Sequence, residues 1–277
     1  MLRWSDQLSI GLCVDRIIRA RITRGLTPRV TEKDVIDVPA QQSQPLWKPA
    51  LEALSEMLKR PIEARTQAFV TLSNRFVRYT MVPWHDELMK RNERLVQARH
   101  CFKQTYGEVA DKWSITSVEG RYREPFLATA VDPGLIDGLR KAFGQAHIEL
   151  ISISPYLTSA YSRFRRVLNA QGATTYFSVV EQADIGTLCF DSKGLRNVFN
   201  QRIQEDWTQE LRGTLMQSAG DGLGEGAARA LCLFAPDRPQ ESIQGSGSTV
   251  TRLFLPAVHG FSPVSDSRIS MALAGIG

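Results

Sequence analysis

TTYFSVVEQADIGTLCFDSKGLRNVFNQR, residues 174–202, contains three short apolar runs of strand length. The runs are separated by Glu181-Gln182-Ala183-Asp184 and by Asp191-Ser192-Lys193-Gly194, compositions that are typical of turns. Aromatic and β-branched runs with such turns between them predict three antiparallel strands. A similar set of predicted strands begins the chain, at residues 8–14, 17–23 and 30–38. Because each set is followed by a helical segment, the sequence predicts an internally duplicated fold.

Composition restricts the class of protein. The chain of 277 residues is long enough to favour two lobes, and its formal net charge of +5 is scattered, so no tail for nucleic acid or lipid is indicated. No apolar run approaches the roughly 20 residues that span a bilayer, and the first residues lack the apolar centre of a signal peptide. We therefore expect a soluble, cytoplasmic protein without a nucleic-acid partner or a membrane span. The cysteines are far apart and predict buried side chains in a reducing compartment: Cys13, Cys101, Cys189 and Cys232.

Further elements are predicted between the two sets of strands. An amphipathic helix from Leu46 to Leu58 is stopped by Pro61. Strands over 68–72 and 76–82 are expected to be neighbours, and the chain should leave their sheet at Pro83, because proline cannot donate to a ladder. Residues 85–154 are interpreted as an insertion with a small α+β pattern of its own. Its expected elements are a helix over 86–106, strands over 113–118 and 126–131, a helix opened by Asp132-Pro133-Gly134 and a strand over 148–153. A helix over 156–168 then leads to Gly172, the predicted hinge.

The order of these elements resembles that of a known family. The N-terminal hairpin, the strand pair ending in VRYTMVPW (77–84), the insertion, the strand and helix ISISPYLTSAYSRF (151–164), the second meander and the apolar SRISMALAGIG (267–277) follow one another. The insertion also carries the spacing AV-x-x-x-L-I-x-x-L at residues 130–139. This order is similar to that of the actin-like, ribonuclease H-like proteins of type IV pilus and type II secretion machinery, namely PilM and the cytoplasmic domain of GspL.

The resemblance implies an α/β, two-lobed actin-like ATPase fold with a small α+β insertion in the first lobe. The first lobe is expected over residues 1–171, with the insertion at about 85–154, and the second lobe over residues 172–277. It also implies three loops around Mg-ATP, of which the first is an Asp-x-Gly turn in the first hairpin. Here Cys13 stands in place of the acid and Asp15 in place of the glycine. A thiol cannot replace a carboxylate that holds magnesium.

The other two implied loops are altered as well. An Asp-x-Gly-Gly sequence should follow the first strand of the second lobe, but Val179-Val180-Glu181-Gln182 stands there. Asp184-Ile185-Gly186 lies on the far side of the turn, where the next strand begins, and is interpreted as part of the turn rather than as a phosphate-binding loop. Glycines for adenosine should follow the strand at 231–235, where the chain has Pro236-Asp237-Arg238-Pro239. The glycine-rich SAGDGLGEGAAR, residues 218–229, is interpreted as a solvated linker, because no strand leads into it.

The sequence gives less support for a metal site, for other catalytic motifs or for a basic binding surface. The four histidines have no partner at metal-ligand spacing: His85, His100, His147 and His259. There is no Gly-x-Ser-x-Gly elbow and no Walker lysine loop. The cluster Arg163, Arg165 and Arg166 is interpreted as a solvated helix face. We therefore predict no catalytic, cofactor-binding or metal-binding residues, with ATP and magnesium disfavoured.

These observations favour a non-catalytic scaffold, a pseudo-ATPase that retains the actin-like fold. The resemblance implies partners in a pilus or secretion machine: a bitopic inner-membrane assembly protein, or the assembly or secretion ATPase. The protein would be cytoplasmic and held at the inner membrane through its partner. Since no membrane span is predicted, a freestanding PilM-like role is expected rather than a fused GspL-like one. Two alternatives are an ATP-binding actin-fold ATPase or sugar-kinase-like enzyme, and an interaction protein unrelated to secretion.

The partner site is expected between the first lobe and the insertion, near Val82, Trp84 and Leu88. Trp84 follows the predicted edge of the sheet directly. A large aromatic side chain at such a place is a candidate hot spot. The alternative for Trp84 is that it is a buried anchor for the insertion.

Overall fold

The computed structural model describes residues 6–275 except 24, 26, 40–43, 61–65, 86–89, 119–122, 170–173, 205, 221–228 and 239–248. In chain order the strands are β1 (Gln7–Leu12), β2 (Arg16–Thr23), β3 (Arg29–Asp37), β4 (Gln67–Leu72), β5 (Val77–Val82), β6 (Ser114–Ser117), β7 (Phe126–Val131), β8 (Glu149–Pro155), β9 (Thr174–Val180), β10 (Asp184–Asp191), β11 (Gly194–Arg202), β12 (Arg229–Phe234) and β13 (Thr249–Arg252). The α-helices are α1 (Lys48–Leu58), α2 (Arg91–Tyr106), α3 (Pro133–Gln145), α4 (Tyr156–Asn169), α5 (Trp207–Gly220) and α6 (Ser270–Ala274). None of the helices in these described ranges is long and apolar enough to cross a membrane.

The first sheet has the strand order β3-β2-β1-β4-β8. Its first three strands in the chain are antiparallel, and β4 and β8 run parallel to β1. All six residues of the central strand β1 are buried, as is usual for a strand covered on both faces. Helix α6 covers the face that carries Ser9, whose Oγ donates a hydrogen bond to the carbonyl oxygen of Ala272 at 2.5 Å. Helices α1 and α3 of the same compact unit pack against each other.

The second five-stranded sheet repeats this arrangement. Its order is β11-β10-β9-β12-β13, with β9, β10 and β11 antiparallel and with β12 and β13 parallel to β9. Trp207 and Leu211 of α5 pack on one face, against a core that includes Tyr176. On the other face, the ring of Phe164 lies 5.0 Å from that of Phe234. The two sheets therefore share one topology, which confirms the duplication predicted from the sequence.

A third sheet, of three strands in the order β5-β7-β6, differs from expectation in two respects. Strand β5 was expected beside β4, and that pairing is wrong, because β5 pairs with β7. Both sides of β4 are already taken, by β1 and β8, so a turn at Asn74–Phe76 carries the chain to the small sheet. Strand β8, expected within the insertion, is instead an edge of the first sheet.

Contacts between residues divide the chain into two compact units. The described residues of Met1–Phe76, Pro133–Arg163 and Phe254–Gly277 form the first unit, which holds the first sheet with α1, α3 and α6. Those of Val77–Asp132 and Phe164–Leu253 form the second unit, with the other two sheets. The actin-like lobe bounds 1–171 and 172–277 stay a prediction, and the expected hinge at Gly172 lies outside the described residues.

Candidate functional site

The first of the three implied nucleotide loops is the turn between β1 and β2. It is a tight hairpin, in which the N–H of Cys13 donates to the carbonyl oxygen of Arg16 at 3.0 Å. The carbonyl oxygen of Asp15 accepts a hydrogen bond from the N–H of Val38 at 2.7 Å. The side chain of Asp15 is exposed to solvent. The backbone of this turn is thus engaged with neighbouring strands.

Cys13 occupies the position where the resemblance implies a carboxylate. Its side chain is only 5% exposed, and its Sγ lies 3.3 Å from the Sδ of Met271 on α6, at hydrogen-bonding distance for sulfur. Magnesium is bound through oxygen ligands, and a buried thiol against a thioether supplies none. The side chain at position 13 therefore does not fit the magnesium ion that the resemblance implies.

The second implied loop is the turn between β9 and β10. The N–H of Glu181 donates to the carbonyl oxygen of Asp184 at 2.9 Å, and the N–H of Ile203 donates to that of Ala183 at the same distance. Asp184 is the first residue of β10 and pairs with Arg202. The stretch from Asp184 therefore closes the turn and begins a strand, as it was interpreted from the sequence.

The third implied loop follows β12, where Arg238 has a role that the sequence did not reveal. The N–H of Arg238 donates to the carbonyl oxygen of Ala235 at 3.1 Å, which makes a turn. Its guanidinium Nη2 donates to the carbonyl oxygen of Gln182 at 3.2 Å, and the same group lies 5.7 Å from the centre of the Trp207 ring. The guanidinium of Arg252 in turn binds the carbonyl oxygen of Arg238. Arg238 thus ties the turn after β12 to the β9–β10 turn. The turn after β12 is the one in which the resemblance implies adenosine-binding glycines. The glycine-rich residues 221–228 lie outside the described part of the chain.

We also examined the described residues for a metal site and for a reactive cysteine. Across the residues that the structure describes, no three His, Cys, Asp or Glu side chains come together as a metal ion would require. Burial raises the pKa of the Cys101 thiol and of the Cys232 thiol. Both groups are therefore held as neutral thiols, whereas the thiolate is the nucleophilic form.

The residues predicted to bind a partner have different placements. Val82 ends β5, is fully buried, and packs in the core of the small sheet with Phe102 and Phe126. Its side chain is therefore part of that core rather than of a surface. Trp84 lies two residues beyond β5 and is half-buried, and Leu88 lies outside the described residues. Of the three, Trp84 is the one whose described side chain reaches the surface, and its role in partner binding stays a prediction.

Comparison with known proteins gives likenesses at the level of structure. No protein-family model matches the chain, and no curated protein matches it significantly. The PilM-PilN type IV pilus biogenesis complex matches with a TM-score of 0.68 and 11% identity, over 98% of both chains. The cytoplasmic domain of EpsL, an inner-membrane component of the type II secretion system of Vibrio cholerae, matches with a TM-score of 0.60 and 11% identity, over 99% of this chain and 97% of that one.

A third similar structure is described as having an actin-like ATPase fold. A Bacteroides thetaiotaomicron protein with an actin-like ATPase fold and unknown function matches with a TM-score of 0.61 and 12% identity, over 83% of this chain and 82% of that one. At such identities the likeness concerns the fold, since folds host many unrelated functions. The duplicated five-stranded sheets and these matches agree with the resemblance found in the sequence. The chain has the actin-like ATPase fold that is also found in PilM and in the cytoplasmic domain of EpsL.

Proposed function

We propose that this chain is a non-catalytic scaffold of a type IV pilus-like or type II secretion-like assembly machine. In this role it binds the cytoplasmic segment of a bitopic inner-membrane protein and is itself cytoplasmic. The observation that carries the proposal is the packing of Cys13 against Met271, 3.3 Å apart, at the turn where an actin-like ATPase needs a magnesium-holding carboxylate. The tie from Arg238 to the carbonyl oxygen of Gln182 supports it further.

The choice of machine is supported by the solved structures. PilM was solved in a complex with PilN in type IV pilus biogenesis, and EpsL is an inner-membrane component of a type II secretion system. Both matches cover nearly the whole of this chain. Because neither likeness is limited to one sheet, we assign to the chain a role like that of PilM or of the EpsL cytoplasmic domain, rather than of one part of either.

The absence of nucleotide binding is tested by titration calorimetry with Mg-ATP. We expect no heat of binding up to about 1 mM nucleotide, which corresponds to a binding free energy weaker than about −4 kcal/mol. The variant Arg238→Ala is measured in parallel, because it removes the side chain that occupies the third loop. Micromolar affinity of the native chain would instead favour the ATPase or sugar-kinase-like alternative.

The partner site is tested by a pull-down. The bait is a synthetic peptide with the cytoplasmic segment of a bitopic inner-membrane protein, chosen from the open reading frames next to that of this chain. We expect Trp84→Ala to weaken binding by about tenfold or more, as for a hot-spot aromatic residue. Met216→Ala, at an exposed position of α5, is the matched control and should bind as the native chain does. Equal binding by Trp84→Ala would leave Trp84 as an anchor of the insertion only.

A further inference from the structure

Strand β6 has an unpaired outer edge within the described residues. It is an edge strand of the order β5-β7-β6, and the strand it pairs with is β7. The N–H of Val118 donates to the carbonyl oxygen of Leu127 at 2.8 Å, which identifies this opposed pair as a hydrogen-bonded one. Because bonding alternates along antiparallel strands, the backbone groups of Ile115 and Ser117 point away from β7. They form a short template for another extended chain.

An apolar surface lies beside the start of this edge. Tyr106 at the end of α2 is 40% exposed and Val109 is 53% exposed. The ring of Tyr106 lies 5.1 Å from that of Trp113, which directly precedes β6. The ring of Trp113 also packs edge-to-face against the ring of the buried Phe102, with 6.0 Å between the ring centres. We call Tyr106, Val109 and Trp113 the aromatic shelf. Clustered exposed apolar side chains of this kind mark interaction surfaces.

The charge around the shelf favours one class of partner. The charged side chains near the shelf are three cations and two acids, a net charge of +1: Arg99, Lys103, Lys112, Glu108 and Asp111. Both acids are already engaged, because Lys103 binds Glu108 at 2.8 Å and Asp111 at 3.0 Å. Lys112 is exposed immediately before Trp113. Because Lys103 pairs with both acids, an approaching chain meets a positive excess of one charge at Arg99 and Lys112, which attracts acidic segments and speeds their association.

We propose that the edge of β6 and the aromatic shelf bind an extended, acidic segment of a partner protein. The segment adds a fourth strand to the small sheet through the outward backbone groups of Ile115 and Ser117, and its alternate apolar side chains lie on the shelf. This surface is distinct from the one proposed around Trp84, because β5 and β6 form opposite edges of the same sheet. The inference therefore does not depend on the role of Trp84.

The test uses a phage-displayed library of random peptides of about 12 residues, long enough at about 3.3 Å per residue to pass the whole edge. The library is selected against the full chain, and enriched peptides are synthesised and their affinities measured by fluorescence polarisation. We expect enriched peptides that are acidic, with apolar residues at alternate positions. No enrichment, or enrichment of basic peptides, would overturn the proposal.

Variants then locate the binding. Ser117→Pro removes an outward N–H while leaving the β6–β7 ladder intact, and we expect it to weaken binding by about tenfold. Val109→Glu changes an exposed side chain, so it should fold normally and repel an acidic peptide, whereas Val109→Lys should bind more tightly. Met216→Glu, on α5, should leave the affinity unchanged. If Ser117→Pro and Val109→Glu bind as the native chain does, or if the native chain dimerises and Ser117→Pro separates the dimer, the proposal is wrong.

Discussion

The Oδ1 atom of Asn74 accepts a hydrogen bond from the backbone N–H of Leu157 at 3.1 Å, although the two residues are 83 positions apart. Asn74 is fully buried in the turn after β4, and Leu157 is the second residue of α4. The first N–H groups of a helix have no partner within the helix. Asn74 therefore acts as a cap supplied by a distant segment, and it fixes the start of α4 to the first sheet's β4 turn.

Replacing Asn74 should destabilise the protein. The variant Asn74→Ala leaves the N–H of Leu157 buried without this acceptor, which should lower the free energy of unfolding by about 1–3 kcal/mol. Urea denaturation followed by circular dichroism measures this difference. Asn92→Ala, at an exposed position near the start of α2, is the control and should change stability by less than about 0.5 kcal/mol. If the two variants are equally stable, the cap contributes nothing.

A second prediction concerns the close approach of α6 to the first sheet. A Cβ added at Gly275 would collide with the Oγ1 of Thr71, while the Cβ of Thr71 is at an ordinary 3.6 Å. The Oγ1 of Thr71 is buried and has no hydrogen-bond partner among the described atoms. Gly275→Ala should therefore lower the free energy of unfolding by about 1–3 kcal/mol through overpacking.

Removing the hydroxyl should relieve this collision. We expect Thr71→Ala alone to cost about 1 kcal/mol, because it deletes a buried methyl group, while the hydroxyl that it also deletes has no hydrogen-bond partner among the described atoms. In the double variant most of the loss caused by Gly275→Ala should be recovered, a coupling of about 1 kcal/mol or more in a double-mutant cycle. Strict additivity of the two single changes would contradict the contact between Gly275 and Thr71.

The third prediction concerns pH. The Oδ1 atom of Asp266 lies 2.7 Å from Nζ of Lys33, and its Oδ2 accepts a hydrogen bond from the N–H of Ser262 at 2.8 Å. These contacts, the Lys33 hydrogen bond first, lower the pKa of the Asp266 carboxyl. The unfolded chain therefore binds more protons than the folded one at acid pH. The contribution of Asp266 to stability is complete above the ordinary carboxyl pKa of about 4 and is lost as pH falls through the lowered value.

Asp266→Asn tests this dependence. The variant should be less stable than the native protein at about pH 6, and the difference should shrink as the pH falls below about 4. Denaturation with urea at a series of pH values measures it. Asp137→Asn, an exposed carboxyl on α3, provides the comparison. A difference between Asp266→Asn and the native chain that stays constant down to strongly acid pH would show that the carboxyl charge is not responsible.

The fourth prediction concerns Arg238. A lysine at this position cannot both donate to the carbonyl oxygen of Gln182 and keep a planar guanidinium against Trp207. Arg238→Lys should therefore lower the free energy of unfolding by about 1–2 kcal/mol. Arg165→Lys, on the exposed face of α4, should be neutral. Equal stability of both variants would mean that Arg238 does not hold the β9–β10 turn.

The strands were predictable because their signals are local. Alternating or continuous apolar runs bounded by turn residues placed a strand at 175–180, and the structure has Thr174–Val180. The choice of partner strand is not local. Strand β5 was assigned to β4 because the two are consecutive, whereas the free side of β4 is taken by β8, about 80 residues further on. Nothing within β5 itself indicates that choice.

In the nucleotide loops, too, local features could be predicted and contacts between distant residues could not. That Cys13 stands where the resemblance implies an acid could be seen in the sequence, because it concerns one residue type at one position. The contacts made in these loops could not be seen, because they join residues that are distant in the chain: Cys13 with Met271, and Arg238 with Gln182. The partner site was predicted near Val82, but the side chain of Val82 packs in the core under α2. Burial of this kind depends on which element packs on the sheet, and periodicity within one strand does not specify it.

The first compact unit takes part of its core from residues 254–275, which follow every residue of the second unit in the chain. During synthesis on a ribosome, the second unit therefore emerges complete while the first still lacks α6. The usual order, in which the N-terminal domain completes its folding first, is therefore not open to the first unit as a whole. Until α6 emerges, the β1 face that carries Ser9 stays bare, and a nascent chain halted before residue 254 presents that face to chaperones.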